Sequence, residues 1–113
     1  MNVAELLPLI DAQARTGNAG LDHSVTGGRV CDLLSRVLAR GQAGDAWITV
    51  QTHMNVVAVA VLRGIRCVIV PEAIFVPDDV AAKAGQEGIA ILASPLTAFE
   101  ICARLHKAGV SAR

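Results

Sequence analysis

The chain has 113 residues, the size of one domain, and can bury a single core without disulfides or a structural metal. Ten basic residues balance ten acidic ones, which excludes the electrostatic footprint of a nucleic-acid binder and leaves partners to be recognised by shape and local polarity. Hydrophobic residues make up 53% but aromatic ones only 3%, so the core must be built from Val, Ala, Leu and Ile, which suit helices laid on a parallel sheet.

In chain order, VAELLPL (3–9) predicts a short helix that Pro8 ends or kinks. RTGNAGLDHSVTGG (15–28) is turn chemistry, with four glycines among side chains that bond their own backbone. In RVCDLLSRVLAR (29–40), Val30, Leu33, Leu34, Val37 and Leu38 fall at helical spacing, and Gly41 stops the predicted helix. DAWITV (45–50) reads as a buried strand. NVVAVAVLRG (55–64) is rich in strand-favouring Val, but its length up to the stopping Gly64 argues for a buried helix. RCVIVP (66–71) is a second strand, closed by Pro71. DDVAAKAGQEG (78–88) is a helix with Asp78 and Asp79 favourably placed in its first turn and Gly88 past its end. IAILAS (89–94) is a third strand. PLTAFEICARLHKAG (95–109) is a closing helix, with Ser94 as N-cap and Pro95 at the first helical position.

Strands alternating with helices predict an α/β three-layer domain, residues 1–113, in which helices flank a small and mostly parallel sheet. Ligands of such sheets sit outside the carboxyl ends of the strands, where Gln51 to Asn55, Pro71 to Ala73 and Ser94 to Thr97 should converge. The longest apolar stretch is broken by Arg63, Gly64 and Arg66, too soon for a membrane span, and the first residues lack a signal-peptide pattern. Both point to a cytoplasmic protein. A mean hydropathy of +0.50 in so small a chain predicts an apolar face shared with a second copy, hence a homodimer.

For chemistry, there is no GxxxxGK[ST] and no GxGxxG at a strand-to-helix turn, so no phosphoryl-transfer or dehydrogenase site is visible. Thr26, Gly27 and Gly28 open a predicted helix, and their backbone N–H groups offer an anion site; a tight turn is the plain alternative. Asp32 either orients that loop or accepts a hydrogen bond from a ligand, with an ordinary solvated helix position as the plain alternative. His53 stands at a predicted strand end between Thr52 and Asn55, without further ligands nearby, so no metal is expected. Asn55 or Thr52 as a helix N-cap accounts for their own polarity but leaves Gln51 and His53 unexplained. With Ser94 and Thr97 at the last helix, three polar helix starts share one sheet edge, which suggests a small-ligand pocket. Cys31, Cys67 and Cys102 form no CxxC pair and read as small apolar fillers. No nucleophile lies beside a base, so neither catalysis nor a cofactor is expected.

The string GLDHSVTGGRVCDLLSRVLARGQAGDAWITVQTHMNVVAVAVLRG resembles the DRTGG domain family, which carries an Asp-Arg element, a Val-Thr-Gly-Gly turn and an Asp-Leu-Leu helix. The match runs through Leu21, Asp22, Val25, Thr26, Gly27, Gly28, Asp32 and Leu33 and ends at ILASPLTAFEICARL, covering about residues 18–110. The family's Asp-Arg is Asp22-His23 here, and a neutral imidazole holds an anion less well than a guanidinium. Such domains resemble the N-terminal domain of HPr kinase/phosphorylase and the uridine-nucleotide-binding domain of peptidoglycan ligases. They also occur in some phosphotransacetylases, beside CBS nucleotide-binding domains, or free-standing, some near iron-only hydrogenases. The resemblance implies a non-catalytic regulatory or ligand-sensing module, often dimeric. It implies no kinase activity, because the P-loop domain is not part of this chain.

The resulting expectation is a homodimeric sensor that binds a small anionic metabolite, a nucleotide being one candidate. Asp22, His23, Thr26, Gly27, Gly28 and Asp32 would serve it from one stretch, and Gln51, Thr52, His53, Asn55, Ser94 and Thr97 from the others. The alternative is a protein-interaction or scaffolding subunit for a metabolic or redox enzyme such as an iron-only hydrogenase.

Overall fold

Buried apolar strands separated by helices assemble as the alternation demands. In a computed structural model, which describes Met1–Arg113, the elements are α1 (Val3–Leu9), β1 (Gln13–Ala14), β2 (Gly27–Val30), α2 (Leu34–Arg40) and β3 (Asp45–Ile48). They continue with α3 (Met54–Arg63), β4 (Cys67–Val70), α4 (Asp78–Gln86), β5 (Ala90–Ala93) and α5 (Ala98–Lys107). The sheet order is β1-β5-β4-β3-β2; β2 to β5 are mutually parallel, and β1 joins β5 antiparallel. Each crossover from β2 to β5 steps one strand in the same direction, so right-handed connections must put α2, α3 and α4 on one face. α1 and α5 cover the other. The result is the expected α/β three-layer domain, and no helix is long and apolar enough to cross a membrane.

Two cores follow from this layering. Trp47, Val68, Val70 and Ile91 face Val37 of α2, Val56 and Ala60 of α3, and Val80 and Ala84 of α4. The alternate positions Ile48, Cys67, Ile69 and Leu92 face Leu6 of α1 and Ile101 and Leu105 of α5. β3 and β4 are buried throughout, which is why their sequences are continuous apolar runs and not alternating ones. The Val-rich segment 54–63 is helical, closed by Gly64 at φ 70°. Its strand propensity yields to burial of Val56, Val57, Val59 and Ala60 against the sheet.

Two expectations are corrected. The helix predicted over 29–40 begins only at Leu34, because Gly27–Val30 is a fourth parallel strand, paired with β3. Arg29 is drawn to the buried Asp45 carboxylate (2.6 Å), and Val30, taken as the first core position of a helix, is 56% exposed. Tertiary pairing here overrides a short periodic pattern. The last helix starts at Ala98 with Thr97 as its N-cap, the hydroxyl accepting from Glu100 N at 3.1 Å. Ser94 is instead buried: its Oγ donates to Ile10 O (2.7 Å) and accepts from Leu96 N (3.1 Å), binding the end of β5 to the end of α1.

Candidate functional site

Parallel strands place their amino ends on one edge of the sheet and their carboxyl ends on the other. Thr26, Gly27 and Gly28 stand where β2 begins, on the amino edge, together with Asp22 and His23 of the preceding loop. Asp32, Gln51, Thr52, His53, Asn55, Ser94 and Thr97 stand on the carboxyl edge. Strands of four residues hold the two edges about 13 Å apart, so the two groups do not share one pocket.

On the amino edge the expected anion cradle does not form, because Gly27 and Gly28 lie in a strand. Thr26 N donates to Gly44 O (2.9 Å) and Gly28 N to Ser111 O (2.7 Å), so these amides are already partnered. A pocket of about 330 Å³ opens beside them, with His23, Ser24, Asp45, Arg66 and Cys67 in its walls. Burial pushes the Cys67 thiol up to about 12.

On the carboxyl edge the polar run after β3 is a network internal to the protein. Asp32 Oδ1 accepts from Thr49 Oγ1 (2.8 Å) and Val50 N (2.9 Å), tying the end of β2 to the end of β3. Gln51 donates through its side chain to Asp32 O (3.3 Å). His53 is the N-cap of α3, its Nδ1 accepting from Asn55 N at 3.1 Å. The cap is thus His53 and not Asn55 or Thr52, and both residues that capping had left unexplained have structural partners. Thr52 and Asn55 make no side-chain hydrogen bond.

The open part of this edge lies further along the sheet. After β4 the chain turns to α4 on one face, and after β5 it turns to α5 on the opposite face. Neighbouring connections that part in this way leave a crevice between the carboxyl ends of their strands. The crevice is a cleft of about 470 Å³ lined by Asp11, Gln13, Arg15, Ala73, Ile74, Phe75, Ala93, Ser94 and Pro95. Only three non-glycine residues in the chain have positive φ, namely Asp11 (53°), Glu72 (61°) and Ala73 (54°), and all three lie at or beside this cleft. Each such residue costs about 1–2 kcal/mol and persists only where its surroundings hold it. Here Glu72 N donates to Leu96 O (2.8 Å) and Ala73 N to Ser94 O (3.0 Å), fastening the loop after β4 to the connection after β5.

Two side chains give the cleft its chemistry. The Arg15 guanidinium donates to Asp78 Oδ1 at 3.1 Å, but the Asp78 side chain is 96% exposed. A pair so solvated is worth at most about 1 kcal/mol, so a bound anion can displace it. The Phe75 ring is 72% exposed and offers a bare π-face. No group of three or more His, Cys, Asp or Glu residues is placed to hold a metal ion. Ala73 and Pro95, from two of the segments expected on this edge, line the cleft; of the candidate ligand-binding side chains only Ser94 does, and its hydroxyl is committed to Ile10 and Leu96. Asp11, Gln13, Arg15 and Phe75 were missed. The bracketing of Phe75 by Pro71 and Pro77 was a usable signal, whereas nothing local marks Arg15, which reaches the cleft through the pairing of β1 with β5.

The chain is similar in structure to the CBS and DRTGG domains of the regulatory region of Clostridium perfringens pyrophosphatase, solved in complex with activator, diadenosine tetraphosphate. The TM-score is 0.70 at 13% sequence identity, over 92% of this chain and 45% of that one, so this chain spans under half the length of that structure. No protein-family model and no curated protein matches the chain. At that identity the likeness is one of fold, and the fold agrees with the DRTGG-like one that the sequence resemblance implies.

Proposed function

We propose that this chain is a non-catalytic regulatory domain of the DRTGG type that senses a small anionic ligand, a nucleotide being the first candidate, in the cleft between β1, β5 and the β4–α4 loop. The observation that carries this reading is the meeting of all three left-handed non-glycine residues at the crevice where the connections part. Backbone held in such conformations is retained at ligand clamps. Arg15 would take a phosphate by charge-assisted hydrogen bonds, and Phe75 would stack on a base. The similarly folded pyrophosphatase region was solved with diadenosine tetraphosphate, which supports trying nucleotides first. The carboxyl edge remains the proposed location, but the residues move from the His53 side of the sheet to the β5 side.

Calorimetric titration with AMP, ADP, ATP, diadenosine tetraphosphate and inorganic phosphate tests the reading. At least one nucleotide should bind saturably. Arg15→Ala should weaken it tenfold or more, since a hydrogen bond to a charged group is worth roughly 1.5–3 kcal/mol. Phe75→Ala should weaken it several-fold, and His53→Ala should leave it unchanged. If no compound binds at millimolar concentration the sensor reading fails; if binding ignores both cleft substitutions, the location fails.

A second reading, association with a second copy or a partner enzyme, draws support from the outer side of α3. There Met54, Ala58, Val61 and Leu62 form an apolar patch beside Lys83 of α4 and Glu87 at its C-cap, with Leu62 69% exposed. Light scattering on the chain and on Leu62→Glu tests the homodimer: a dimer that the substitution splits supports it, and a monomer at 100 micromolar order rejects it.

A further inference from the structure

A second feature, independent of the cleft, lies on the amino half of the β2 edge. Residues 111–113 run beside β2 in parallel, Gly28 N donating to Ser111 O (2.7 Å) and Arg113 N to Gly28 O (2.7 Å). The Arg113 side chain then turns inward. Its Nε lies 2.9 Å from Asp45 Oδ1, its Nη1 donates to Gln42 Oε1 (3.1 Å), and its Nη2 donates to the Thr26 hydroxyl. The adjacent glycines read from the sequence as an anion turn therefore hold a cation: a Cβ on Gly27 would overlap the guanidinium.

We propose that the outer edge of β2, with the Asp45 carboxylate at its base, is a docking site for an extended, arginine-bearing segment of a partner protein, which residues 111–113 of this chain occupy in that partner's absence. Two observations argue for exchange. Asp45 is fully buried, and its Oδ2 already serves Arg29 (2.6 Å) and Gln42 N (2.9 Å), so Oδ1 is left for an arginine arriving along the edge. That last contact is imperfect: Asp45 Oδ1 and Arg113 Nε are both buried, close enough for an ion pair, yet neither makes a directed hydrogen bond. An arginine presented from a different backbone can align better and gain a charge-assisted bond.

The chemistry of the edge favours a partner strand. Val30 and Leu33, next along the same edge, are 56% and 64% exposed, and Val30 also lines an apolar pocket of about 180 Å³ with Ile48 and Leu105 on one side and Val110, Ser111 and Ala112 of the resident segment on the other. A strand bearing one arginine and apolar neighbours would pair its backbone with β2, fill the socket and cover this flank, which is recognition by strand addition.

The test uses the whole chain carrying Arg113→Ala, which empties the socket, and a fluorescein-labelled peptide of residues 107–113, KAGVSAR, followed by anisotropy. Saturable binding is expected, at least tenfold tighter than to the unaltered chain, whose tethered segment competes at an effective concentration on the order of millimolar. The same peptide with alanine in place of arginine should not bind. If circular dichroism shows Arg113→Ala to be unfolded, Arg113→Lys, which keeps the charge but lacks the fork, takes its place with a smaller expected gain. The proposal is overturned by a folded, opened chain that shows no saturable signal, that binds the arginine-free peptide equally well, or that only pairs with itself in light scattering.

Discussion

Replacing Asp45 by Asn removes one charge from the best-buried ionic cluster in the protein while keeping side-chain size. The carboxylate has no exposed side-chain surface; it accepts hydrogen bonds from Arg29 Nε at 2.6 Å and Gln42 N at 2.9 Å and has Arg113 Nε 2.9 Å away as an ion-pair partner. Breaking a buried pair from one side generally costs about 3–5 kcal/mol, because the remaining charge is left uncompensated. Here the stranded arginines are 12% and 24% exposed and regain part of their hydration, so the lower end, about 3 kcal/mol, is expected. With an unfolding entropy of roughly 2.1 cal/mol/K per residue, a domain of this length loses about 13 °C in Tm. Thermal unfolding is followed by far-UV circular dichroism, with emission from the fully buried Trp47 as an independent probe. Glu100→Gln is the internal contrast. It breaks the Arg104–Glu100 pair, which has similar geometry at 3.0 Å but side chains 36% and 49% exposed, and should cost less than about 1 kcal/mol, or 4 °C. If Asp45→Asn melts within 4 °C of the parent, the argument that burial makes this cluster matter is refuted.

Two further outcomes follow from groups the site does not use. Ser94→Ala should destabilise by about 1–3 kcal/mol in urea titration, because the Ile10 carbonyl and the Leu96 amide both lose a buried partner; unchanged stability would contradict the role given to that hydroxyl. For Cys67, the folded thiol at about 12 lies above its unfolded value of 9.0, so as pH rises the unfolded chain releases its proton first. Stability conferred by the buried neutral thiol is therefore full below pH 9 and falls by roughly 1.4 kcal/mol per unit between pH 9 and 12. Urea titrations at pH 8, 9 and 10 should show this slope in the parent relative to Cys67→Ala, and parallel curves would count against it.

The parts of the fold that can be read from the chain are those fixed by local pattern. β3, β4 and β5 are apolar runs closed by glycine, proline or a polar stretch, and α3 and α4 end at glycines with left-handed backbone, so each is visible within a dozen residues. β1 and β2 are edge strands whose identity comes from partners far away in sequence, Ala93 for Gln13 and Asp45 for Gly27. No window around either contains that information. The candidate site divides the same way. VQTHMN was recognisable as the carboxyl end of a strand, but which of its polar groups caps the helix depends on where the backbone turns. Thr26, Gly27 and Gly28 suggested a turn whose backbone N–H groups are open to an anion, but the glycines lie in a strand with partnered amides, and what approaches Gly27 is a guanidinium. The sign of what approaches was not contained in them, since glycine permits contact with a guanidinium as readily as with a phosphate. It is set by Asp45, which the sequence presents merely as the start of a strand.

The sheet is also closed at both sides by very little material. On one side stands the two-residue β1, on the other the single bridge of Ala112 to Gly28. An exposed row of backbone donors and acceptors is a template on which other chains grow, and short pieces carrying Arg15 and Arg113 are the kind of charged, abbreviated cover that stops such growth. Injury to either cover would then announce itself through concentration-dependent fibre formation while helices and core remain intact, so solubility would fail well before folding does.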